Sequence, residues 1–576
     1  MVNKIFSKSK KILFSTQSSV LSAATVIMVM VVASRVLGLV RQRVLAHFFT
    51  PNELSLFFAA FRLPDLVFEV LVFGTFSSAF IPVFANVLKK SEKSAWEIAS
   101  TVVNLGFTIF LIVGVVAVFF ADSLYGFVAP GFSEEGRSVI VRLARILFAA
   151  QGFFVISYVL TAVLESSRRF LIPAIAPLFY NLGIILGTLF GARELGLLAP
   201  TIGVVIGACL HLAIQLPLAI KLGFRFRPKV RITPDVKKIG KLALPRIVEV
   251  SFLQVSKSVE LFLSSLISTA SYTYLYFGNT IQLLPVGLFG TSIAKAALPT
   301  LSRQADSPIE FRRTLLSALR QIIFLVAPIA TLLIVLRIPL VRLIFGTDIF
   351  SWEATVQTGM VVSAFAVGIV FQSVTMLLAR AFYALHDTKT PVVISLFSII
   401  VQIAAAFLFV RVYGLPAWGL AAAFSLGSLI HAVLLFLFIR KRLVKRESKE
   451  GFKPILKMLL ACVGEGGVMY FLLKIFDKSV WIKRLSFLGS IEGVSTIPFE
   501  RFVLDTRYTV NLLVLTLFVI SAGALTYLGL SLILKTKEMW DLIDLVKRVF
   551  VKRMVSPVPS KEPETLTPRP TDSNSP

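Results

Sequence analysis

The succession of long apolar runs limits this chain to one class of fold. Windows of about 20 apolar residues follow one another through most of the 576 residues, and 56% of the residues are hydrophobic. A window of that length crosses the hydrocarbon core of a bilayer as an α-helix. The mean hydropathy of +0.85 is far above that of a soluble globular chain. The sequence therefore predicts an all-α polytopic membrane protein.

We predict fourteen membrane spans, with two parallel six-helix lobes around a central cavity and two C-terminal helices. The predicted spans are 20–48, 54–87, 97–121, 138–165, 171–193, 198–222, 241–268, 271–300, 314–336, 354–384, 391–412, 416–439, 455–475 and 509–534. The expected divisions of the chain are a basic cytoplasmic N-terminus (1–19), an N-lobe (20–222), a basic cytoplasmic loop (223–240), a C-lobe (241–440), spans 13 and 14 with an external loop (441–535), and an amphipathic helix with a disordered cytoplasmic tail (536–576).

The net charge of +28 is distributed as in a membrane protein. Lys and Arg concentrate in alternate connections between the predicted spans, as between Lys221 and Lys238. This positive-inside pattern predicts that both termini lie in the cytoplasm. It also accounts for the basic charge without a nucleic-acid partner. Cys209 and Cys462 both lie in apolar runs and indicate neither a disulfide framework nor a zinc site.

Two pairs of motifs indicate an internal repeat. FGTFSSAFIPVF (Phe73–Phe84) resembles FGTSIAKAALPTL (Phe289–Leu301). RRFLIPAIAPLF (Arg168–Phe179) pairs with DTKTPVVISLF (Asp387–Phe397) at nearly the same separation along the chain. Six predicted spans separate the equivalent points, so the two halves should run parallel, related by an axis along the membrane normal.

Two arginines lie inside the first apolar run, in SRVLGLVRQ (Ser34–Gln42). An ionisable group at membrane depth costs several kcal/mol unless it is paired or faces a wet cavity. Arg35 and Arg41 would point about 120° apart on a straight helix, and Gly38 is predicted to be a hinge that brings both onto one lumen. There they would receive a phosphate, which a guanidinium binds through two hydrogen bonds. Alternatively, Arg35 is a structural cation and Arg41 snorkels to an interface.

The seventh predicted span carries a mixed-charge stripe on one helical face. Its charged members are Arg246, Glu249, Lys257 and Glu260. Such a stripe should face a lumen or a partner helix rather than lipid. One interpretation is a set of ion pairs that locks two helices together. The other is that Lys257 and Arg246 join the anion site while the glutamates hold them in place.

No catalytic constellation is present in the sequence. The four histidines are scattered, and neither a Walker A loop nor a GxSxG motif occurs. We therefore predict that the chain is not an enzyme and uses no cofactor or metal. Arg62 and Lys295 are further cations at or near membrane depth, and Asp387, before Pro391, is expected to cap a helix.

Five motifs in matching order resemble the MurJ/MviN family over about residues 20–440. They are SRVLGLVRQ (Ser34–Gln42), FFAAFRLPDL (Phe57–Leu66), FGTFSSAFIPVF (Phe73–Phe84), RRFLIPAIAP (Arg168–Pro177) and ARAFYALHDTKTP (Ala379–Pro391). Members of this family are bacterial lipid II flippases in the multidrug/oligosaccharidyl-lipid/polysaccharide exporter superfamily. The resemblance implies a two-lobed bundle in the bacterial plasma membrane. By alternating access, the bundle would move an undecaprenyl-pyrophosphate-linked glycopeptide from the inner to the outer leaflet.

The resemblance also implies site residues and partners. The two cavity arginines of the family's first motif map onto Arg35 and Arg41, and its basic residue before Leu-Pro maps onto Arg62. With Lys257 they form the predicted pyrophosphate site, while Arg246, Glu249, Glu260 and Lys295 are expected to line the cavity. Membrane lipids are expected partners, with spans 13 and 14 as a groove for the lipid tail. Cell-wall synthesis proteins are further candidate partners.

Several charged positions of the family's cavity are replaced in this chain. The departures are Gln42 for an aspartate, Ser55 for an acidic residue, Asp65 for an asparagine, Phe68 for an arginine, Phe73 for a glutamate, and Asn279 and Thr280 for an Asp-Arg pair. Lys257 and Lys295 are candidate local substitutes. The departures hardly affect the expected fold, but they leave the substrate headgroup open.

Two rival functions remain open from the sequence. One is export of a different cargo, either another lipid-linked oligosaccharide resembling O-antigen or an amphiphilic drug. A cationic cavity argues against typical cationic drugs, which it would repel. The other is a non-transporting scaffold for an envelope-assembly complex, with the basic loops and tail as docking surfaces.

Overall fold

The computed structural model describes residues 20–73, 79–443, 453–477, 504–506 and 508–554. Almost all of these residues are helical. The helices are α1 (Val20–Phe48), α2 (Pro51–Ala60), α3 (Arg62–Phe68), α4 (Ile81–Lys90), α5 (Glu92–Phe119), α6 (Ala121–Val128), α7 (Glu134–Ser166), α8 (Leu171–Leu195), α9 (Leu198–Ala213), α10 (Leu216–Lys221), α11 (Pro234–Ile267), α12 (Ser271–Pro285), α13 (Ser292–Arg303), α14 (Pro308–Val335), α15 (Arg337–Phe345), α16 (Trp352–Ala384), α17 (Lys389–Phe407), α18 (Trp418–Arg442), α19 (Lys453–Phe476), α20 (Thr509–Ile533) and α21 (Lys537–Met554). The predicted all-α membrane fold is confirmed.

Twelve helical stretches in the described part of the chain are long and apolar enough to cross a membrane. They are Glu92–Phe119, Glu134–Ser166, Leu171–Leu195, Leu198–Lys221, Ile247–Ile267, Ser271–Arg303, Pro308–Val335, Trp352–Ala384, Lys389–Val412, Trp418–Arg442, Lys453–Phe476 and Thr509–Ile533. They correspond to predicted spans 3 to 14. The count of fourteen is therefore not confirmed for the first two spans.

The first two predicted spans differ from a simple apolar helix. The first, α1, is one continuous helix of 29 residues that carries three arginines. The second is broken into α2, α3, a π-helical turn at Glu69–Phe73, and α4. Pro64 and Pro82 lie within this segment, and proline removes a backbone donor and disturbs the regular ladder of helical hydrogen bonds.

The internal repeat predicted from the motifs is visible in the order of the elements. The π-helical turn at Glu69–Phe73 has a counterpart at Val286–Thr291 in the second half. The short helix α6 after the third span has its counterpart in α15 after the ninth. Two interruptions therefore recur at equivalent places in the two halves, which supports the repeat, whereas the π-helical turn at Leu408–Val412 occurs in the second half and has no counterpart within the continuous helix α8.

Backbone conformations repeat with the same period. Arg168 and His386 both have positive φ values, 56° and 59°, where a helix ends in each half. Gly196 and Gly414, at φ 54° and 63°, form the next equivalent pair. The two members of each pair are equally far apart along the chain. Because positive φ is uncommon for residues other than glycine, the match at Arg168 and His386 is a specific sign of the repeat.

The two lobes meet at the end of the bundle that carries Thr50, which we call the Thr50 end. Four large aromatic side chains from both lobes are buried here: Phe57, Phe277, Phe345 and Phe350. The rings of Phe277 and Phe345 stack with centroids 4.1 Å apart. Phe58 of the N-lobe contacts Phe277 of the C-lobe, with ring centroids 5.9 Å apart, so aromatic packing joins the two lobes at the Thr50 end.

The added helices α19 and α20 pack against each other and against α14 of the C-lobe. Tyr527 of α20 donates a hydrogen bond to the carbonyl of Phe324 on α14, at 2.8 Å. The segment predicted to be an amphipathic helix contains α21, in which Met539 is buried and Trp540 is exposed. The predicted external loop and disordered tail lie outside the described residues, apart from a few residues next to the helices.

Candidate functional site

Asn181 holds Arg41, the second arginine of the first motif, against α8. The Nη1 atom of Arg41 donates a hydrogen bond to Oδ1 of Asn181 at 3.0 Å. The guanidinium carbon lies 6.0 Å from the centre of the Tyr180 ring, within range of a cation–π interaction. Asn181 in turn donates to the backbone carbonyls of Ser34 and Pro177, at 3.4 Å and 3.2 Å. Arg41 is thus oriented by neutral partners, and no acid in the described part of the chain forms an ion pair with it.

Arg35, the first arginine of that motif, is exposed on α1. It makes no hydrogen bond or ion pair with any residue that the structure describes. The helix runs without a break through Gly38, whose surroundings are open: a Cβ added there would meet no atom within 4 Å. In this conformation Gly38 has room to act as a hinge, but the helix is continuous there and the two guanidiniums share no partner among the described residues.

Arg62 lies at the junction of the two lobes and is only 5% exposed. Its Nη2 atom donates to Oε1 of Gln254 on α11, and the Gln254 amide donates to Oε2 of Glu69. The ammonium of Lys257 completes the chain at 3.3 Å from the same Glu69 oxygen. We call these four residues the inter-lobe network, because Arg62 and Glu69 belong to the N-lobe while Gln254 and Lys257 belong to the C-lobe.

Two members of the charged stripe, Lys257 and Glu260, have partners on other elements. Lys257 pairs with Glu69 on another element and not with Glu260 on its own helix, as an i,i+3 pair would require. Glu260 instead accepts a hydrogen bond from Gln402 of α17 at 3.3 Å. Glu249 is half-buried. Lys257 therefore forms an ion pair between the lobes, and the expected pair with Glu260 is not formed.

The remaining predicted cations, Lys295 and Arg246, are not part of the contacts reported above. Lys295 is exposed on α13. Arg246 belongs to α11, but its side chain lies outside the described part of the structure. The structure thus places Arg62 and Lys257 in one network and Arg41 of α1 against α8, while Arg35 and Lys295 are exposed.

The sequence analysis missed Glu69, Gln254 and Asn181. Glu69 was detectable, because an acidic residue inside an apolar run is itself a candidate for a functional site. It lies next to Phe68, which replaces an arginine of the family. Gln254 and Asn181 are neutral, and no pattern in the sequence distinguishes an amide that orients an arginine from one that caps or bridges.

Two of the family departures have clear structural roles. Ser55 and Thr273 pair across the lobes, with their hydroxyl oxygens 2.8 Å apart. Phe68 packs against Phe154, with ring centroids 6.1 Å apart. Gln42 is 1% exposed, and neither polar atom of its side chain has a hydrogen-bond partner among the described residues.

Asp387 caps a helix, as predicted. Its Oδ1 accepts hydrogen bonds from the backbone nitrogens of Lys389 and Thr390, both at 3.0 Å. Its other oxygen forms an ion pair with Arg442 at 2.5 Å. Among the described residues, no three His, Cys, Asp or Glu side chains come together as ligands for a metal ion.

Similarity to known proteins covers most of the chain. The family described as "Lipid II flippase MurJ" matches residues 44–491. The "Probable lipid II flippase MurJ" of Haemophilus influenzae is 28% identical over 464 residues, which cover 77% of this chain and 90% of that protein. That of Vibrio cholerae is 30% identical over 439 residues, 72% of this chain and 82% of its own length. That of Thermotoga maritima is 26% identical over 514 residues, 88% of this chain and 96% of its own length.

Solved structures show the same fold. A structure described as "Lipid II flippase MurJ, inward closed conformation" superposes with a TM-score of 0.72 at 24% identity, covering 90% of this chain and 99% of that one. An inward-facing multidrug resistance MATE family transporter of the MOP superfamily matches with a TM-score of 0.57 at 15% identity, covering 71% and 94%. The family match extends over well more than half of the sequence, from the first helix into the added helices. The chain therefore belongs to the lipid II flippase MurJ family.

Proposed function

We propose that this protein is a flippase that moves lipid II, the lipid-linked peptidoglycan precursor, from the inner to the outer leaflet of the bacterial plasma membrane. The family membership and the names of its relatives support this function. The repeated six-span lobes suit transport by alternating access, in which the two lobes rock about a site between them. The positive-inside pattern supports a cytoplasmic location for both termini and an external location for the Thr50 end.

The observation that carries this proposal is the state of the two arginines on α1. Arg41 is oriented by a neutral amide, and Arg35 makes no contact with an acid among the described residues. An unneutralised cation on a membrane helix is costly unless it is paired or faces a wet cavity, which is where an anionic ligand would reach it. A pyrophosphate, with its several oxygens, matches two guanidiniums by forming paired hydrogen bonds with each. Arg35 and Arg41 therefore form the first part of the proposed substrate site.

Arg62 and Lys257 form the second part, through the inter-lobe network. Both are already compensated, because Glu69 accepts from Lys257 and is joined to Arg62 through Gln254. A diphosphate that reaches this network competes with Glu69 for both cations. Binding then exchanges contacts between the lobes for contacts to the substrate. This exchange couples the arrival of the headgroup to the relative motion of the lobes.

The energy for a directed cycle comes from outside the protein in this proposal. We expect the membrane potential, an ion gradient or consumption of the precursor on the outer face to set the direction. One elementary charge that crosses 100 mV releases about 2.3 kcal/mol, which changes an equilibrium constant by nearly two orders of magnitude. The protein acts here as a transporter and performs no bond-making step.

Translocation of lipid II in proteoliposomes tests the proposal. We expect Arg35→Ala and Arg41→Ala each to lower the rate of headgroup translocation by at least about tenfold, the effect of losing about 1.4 kcal/mol of binding. Arg193→Ala is the matched control, because Arg193 is an exposed arginine at the end of α8. Translocation that survives both changes on α1 would refute the anion site. Failure of the unaltered protein to move any lipid-linked glycan would refute the flippase function.

A further inference from the structure

Glu465 lies near the middle of α19, where an acid is not expected in a helix that spans a membrane. The helix runs for 24 residues from Lys453 to Phe476, and Glu465 is at its midpoint. At 1.5 Å per residue the side chain is about 17 Å from either end. Only 2% of Glu465 is exposed. A buried acid at this depth is a candidate functional group by default.

The carboxyl group of Glu465 is surrounded by three closely packed helices. It lies on the face of α19 that also buries Met458, Cys462 and Met469. A Cβ added to Gly523 of α20 would lie 2.5 Å from Met469 and 3.5 Å from Glu465, so α20 approaches α19 closely here. On the other side, a Cβ added to Gly466 would lie 3.0 Å from Thr331 of α14.

The neighbouring polar groups leave the Glu465 carboxyl without compensation. Its Oε2 atom has no hydrogen-bond partner, and the side chain forms no ion pair with any described residue. The Thr331 hydroxyl donates to the carbonyl of Ala327 at 3.1 Å, and the Tyr527 hydroxyl donates to that of Phe324.

The charged and titratable groups near Glu465 in the described part of the chain are Cys462 on its own helix, Tyr527 on α20, and the pair formed by Arg320 of α14 and Glu538 of α21. In that pair, the Nε atom of Arg320 lies 3.2 Å from Oε1 of Glu538. The Arg320 guanidinium is thus already paired with the carboxylate of Glu538. An ionised Glu465 would add a second, unmatched negative charge at a cost of several kcal/mol.

We propose that Glu465 is a proton-binding site, whose bound proton holds α19 against α14 and α20 and whose release loosens that packing. A neutral carboxylic acid is compatible with the buried position, whereas a carboxylate favours an arrangement in which water reaches it. The proton therefore binds only the state in which α19 is packed against α14 and α20. By linkage, that packing weakens as the pH rises. The inference concerns the added helices and is independent of the lipid that the two lobes carry.

Infrared spectroscopy of the reconstituted full-length protein tests the protonation directly. We expect the spectrum at neutral pH to contain the band of a protonated carboxylic acid that disappears in Glu465→Gln. Glu97→Gln is the control, because Glu97 forms ion pairs with Arg227 and Arg231 at 3.0 Å and 3.5 Å, and its replacement should leave this band unchanged. An unchanged carboxylic-acid band in Glu465→Gln would overturn the proposal.

Thiol labelling tests the loosening of the packing. Cys462 is buried one turn from Glu465, and with Cys209→Ser it becomes the sole cysteine. We expect its labelling by a small neutral maleimide to rise with pH more steeply than in Glu465→Gln, with the ratio of the two rates growing by up to about tenfold per pH unit. A carboxylate at Glu465 would disfavour the Cys462 thiolate, so a steeper rise in the unaltered protein does not come from ionisation of the thiol.

Met469→Leu serves as the structural control for labelling. It changes a residue on the same buried face without removing a titratable group, and should keep the steep pH response. Equal slopes in the unaltered protein and in Glu465→Gln would refute the loosening. A loss of the steep response in Met469→Leu as well would assign that response to packing rather than to the proton.

Discussion

Asn181 shows how a neutral residue can determine what a charged one is able to do. Its side chain bridges α8 and α1 by accepting from Arg41 and donating to Ser34. A carboxylate in the same place would also orient the guanidinium, but it would neutralise the charge. The amide supplies the orientation alone, and the cation is left for an anionic ligand.

Asn181→Asp should therefore impair transport without harming the fold. A carboxylate close to the Arg41 guanidinium forms a charge-assisted hydrogen bond that a diphosphate has to displace. We expect lipid II translocation to fall at least about tenfold, with unchanged or increased thermal stability of the purified protein. Asn181→Ser is the control, because it removes the amide without adding charge and should reduce translocation less. Equal translocation by the Asp and Ser variants would contradict this role.

Asp387 gives a pH-dependent contribution to stability outside the membrane spans. Desolvation raises the pKa of this carboxyl, but hydrogen bonds from Thr390 and the charge of Arg442 outweigh it and hold the pKa below its usual range. The ionised form therefore stabilises the fold above the ordinary aspartate pKa of about 4. That contribution is lost as the pH falls through the lowered value.

Asp387→Asn should lower the free energy of unfolding by up to about 1 kcal/mol at neutral pH, because an amide still accepts the capping hydrogen bonds but loses the ion pair with Arg442. The difference from the unaltered protein should shrink under acid conditions, because the carboxyl is then protonated in both states of the chain. Denaturant unfolding in detergent at several pH values measures this. Asp306→Asn is the control, an exposed aspartate at the same end of the bundle. An equal loss at all pH values would show that the cap acts without its charge.

Single residues were only partly predictable from the sequence. Arg35, Arg41 and Asp387 stood out, because a charge in an apolar run or a carboxylate before a proline is unusual by itself. Asn181 and Gln254 did not, since their roles arise from contacts between helices that are distant in the chain. Glu465 was equally visible as an acid in an apolar run. Its lack of a partner, however, is a property of the packed helices and could not be read from the sequence.

At the scale of elements, α8 and α9 show how far small residues determine helix packing. A Cβ added to Gly183 would lie 2.6 Å from the Cα of Gly207, and one added to Gly207 would lie 2.6 Å from the carbonyl oxygen of Tyr180. The two backbones are thus in direct contact, as in membrane helices that pack through small residues. Tyr180 and Asn181, which hold Arg41, lie at this crossing.

Gly183→Ala should therefore push α8 and α9 apart and disturb the support of Arg41. Because backbone atoms block the added methyl group, we expect a loss of about 1–3 kcal/mol in the free energy of unfolding, measured in detergent. Gly529→Ala is the control, since a Cβ added there meets no atom within 4 Å. It should be neutral or slightly stabilising. A Gly183→Ala variant as stable as Gly529→Ala would contradict the close approach.

Helical elements were easier to predict than their interruptions. Apolar length alone located the twelve confirmed spans. The broken second span was expected to be a single helix, because its apolar run continues through Pro64 and Pro82. The π-helical turns at Glu69–Phe73 and Val286–Thr291 leave no mark in hydropathy. The structure shows both turns, and comparison of the two halves shows that they correspond.

At the scale of the whole molecule, the Thr50 end holds the lobes together near the axis of the repeat. The Ser55 hydroxyl contacts that of Thr273, whose own hydroxyl donates to the carbonyl of Pro51 at 2.7 Å. The Phe58 and Tyr276 rings stack with centroids 3.9 Å apart. Both pairs have the sequence separation that relates the two halves of the repeat, so each residue touches its own counterpart in the other lobe.

A reversible cross-link across this contact should stop transport. With Cys209 and Cys462 replaced by serine, Ser55→Cys combined with Thr273→Cys should form a disulfide, because the native hydroxyl oxygens are 2.8 Å apart. We expect oxidation to arrest lipid II translocation and reduction to restore it. Ser55→Cys alone should transport equally under both conditions. Full translocation by the quantitatively cross-linked protein would refute alternating access through the Thr50 end.

The symmetry of the molecule was predictable, but its conformation was not. Two motif pairs with nearly equal separations were enough to predict parallel lobes, because an equivalent sequence at a fixed distance implies an equivalent fold. Which end of the bundle is closed depends on small differences in free energy between two packings of the same lobes. Hydropathy and charge patterns are the same in both packings and carry no information about that choice.

The self-facing pairs at the axis have a consequence for how such a duplicated chain changes over time. Elsewhere, the two copies can diverge independently, because a substitution in one lobe meets unrelated neighbours. At Ser55 and Thr273, or at Phe58 and Tyr276, a new side chain directly contacts the residue that derives from the same ancestral position. These sites are expected to change in concert, and paired exchanges across the axis should be accepted where the corresponding single ones are not.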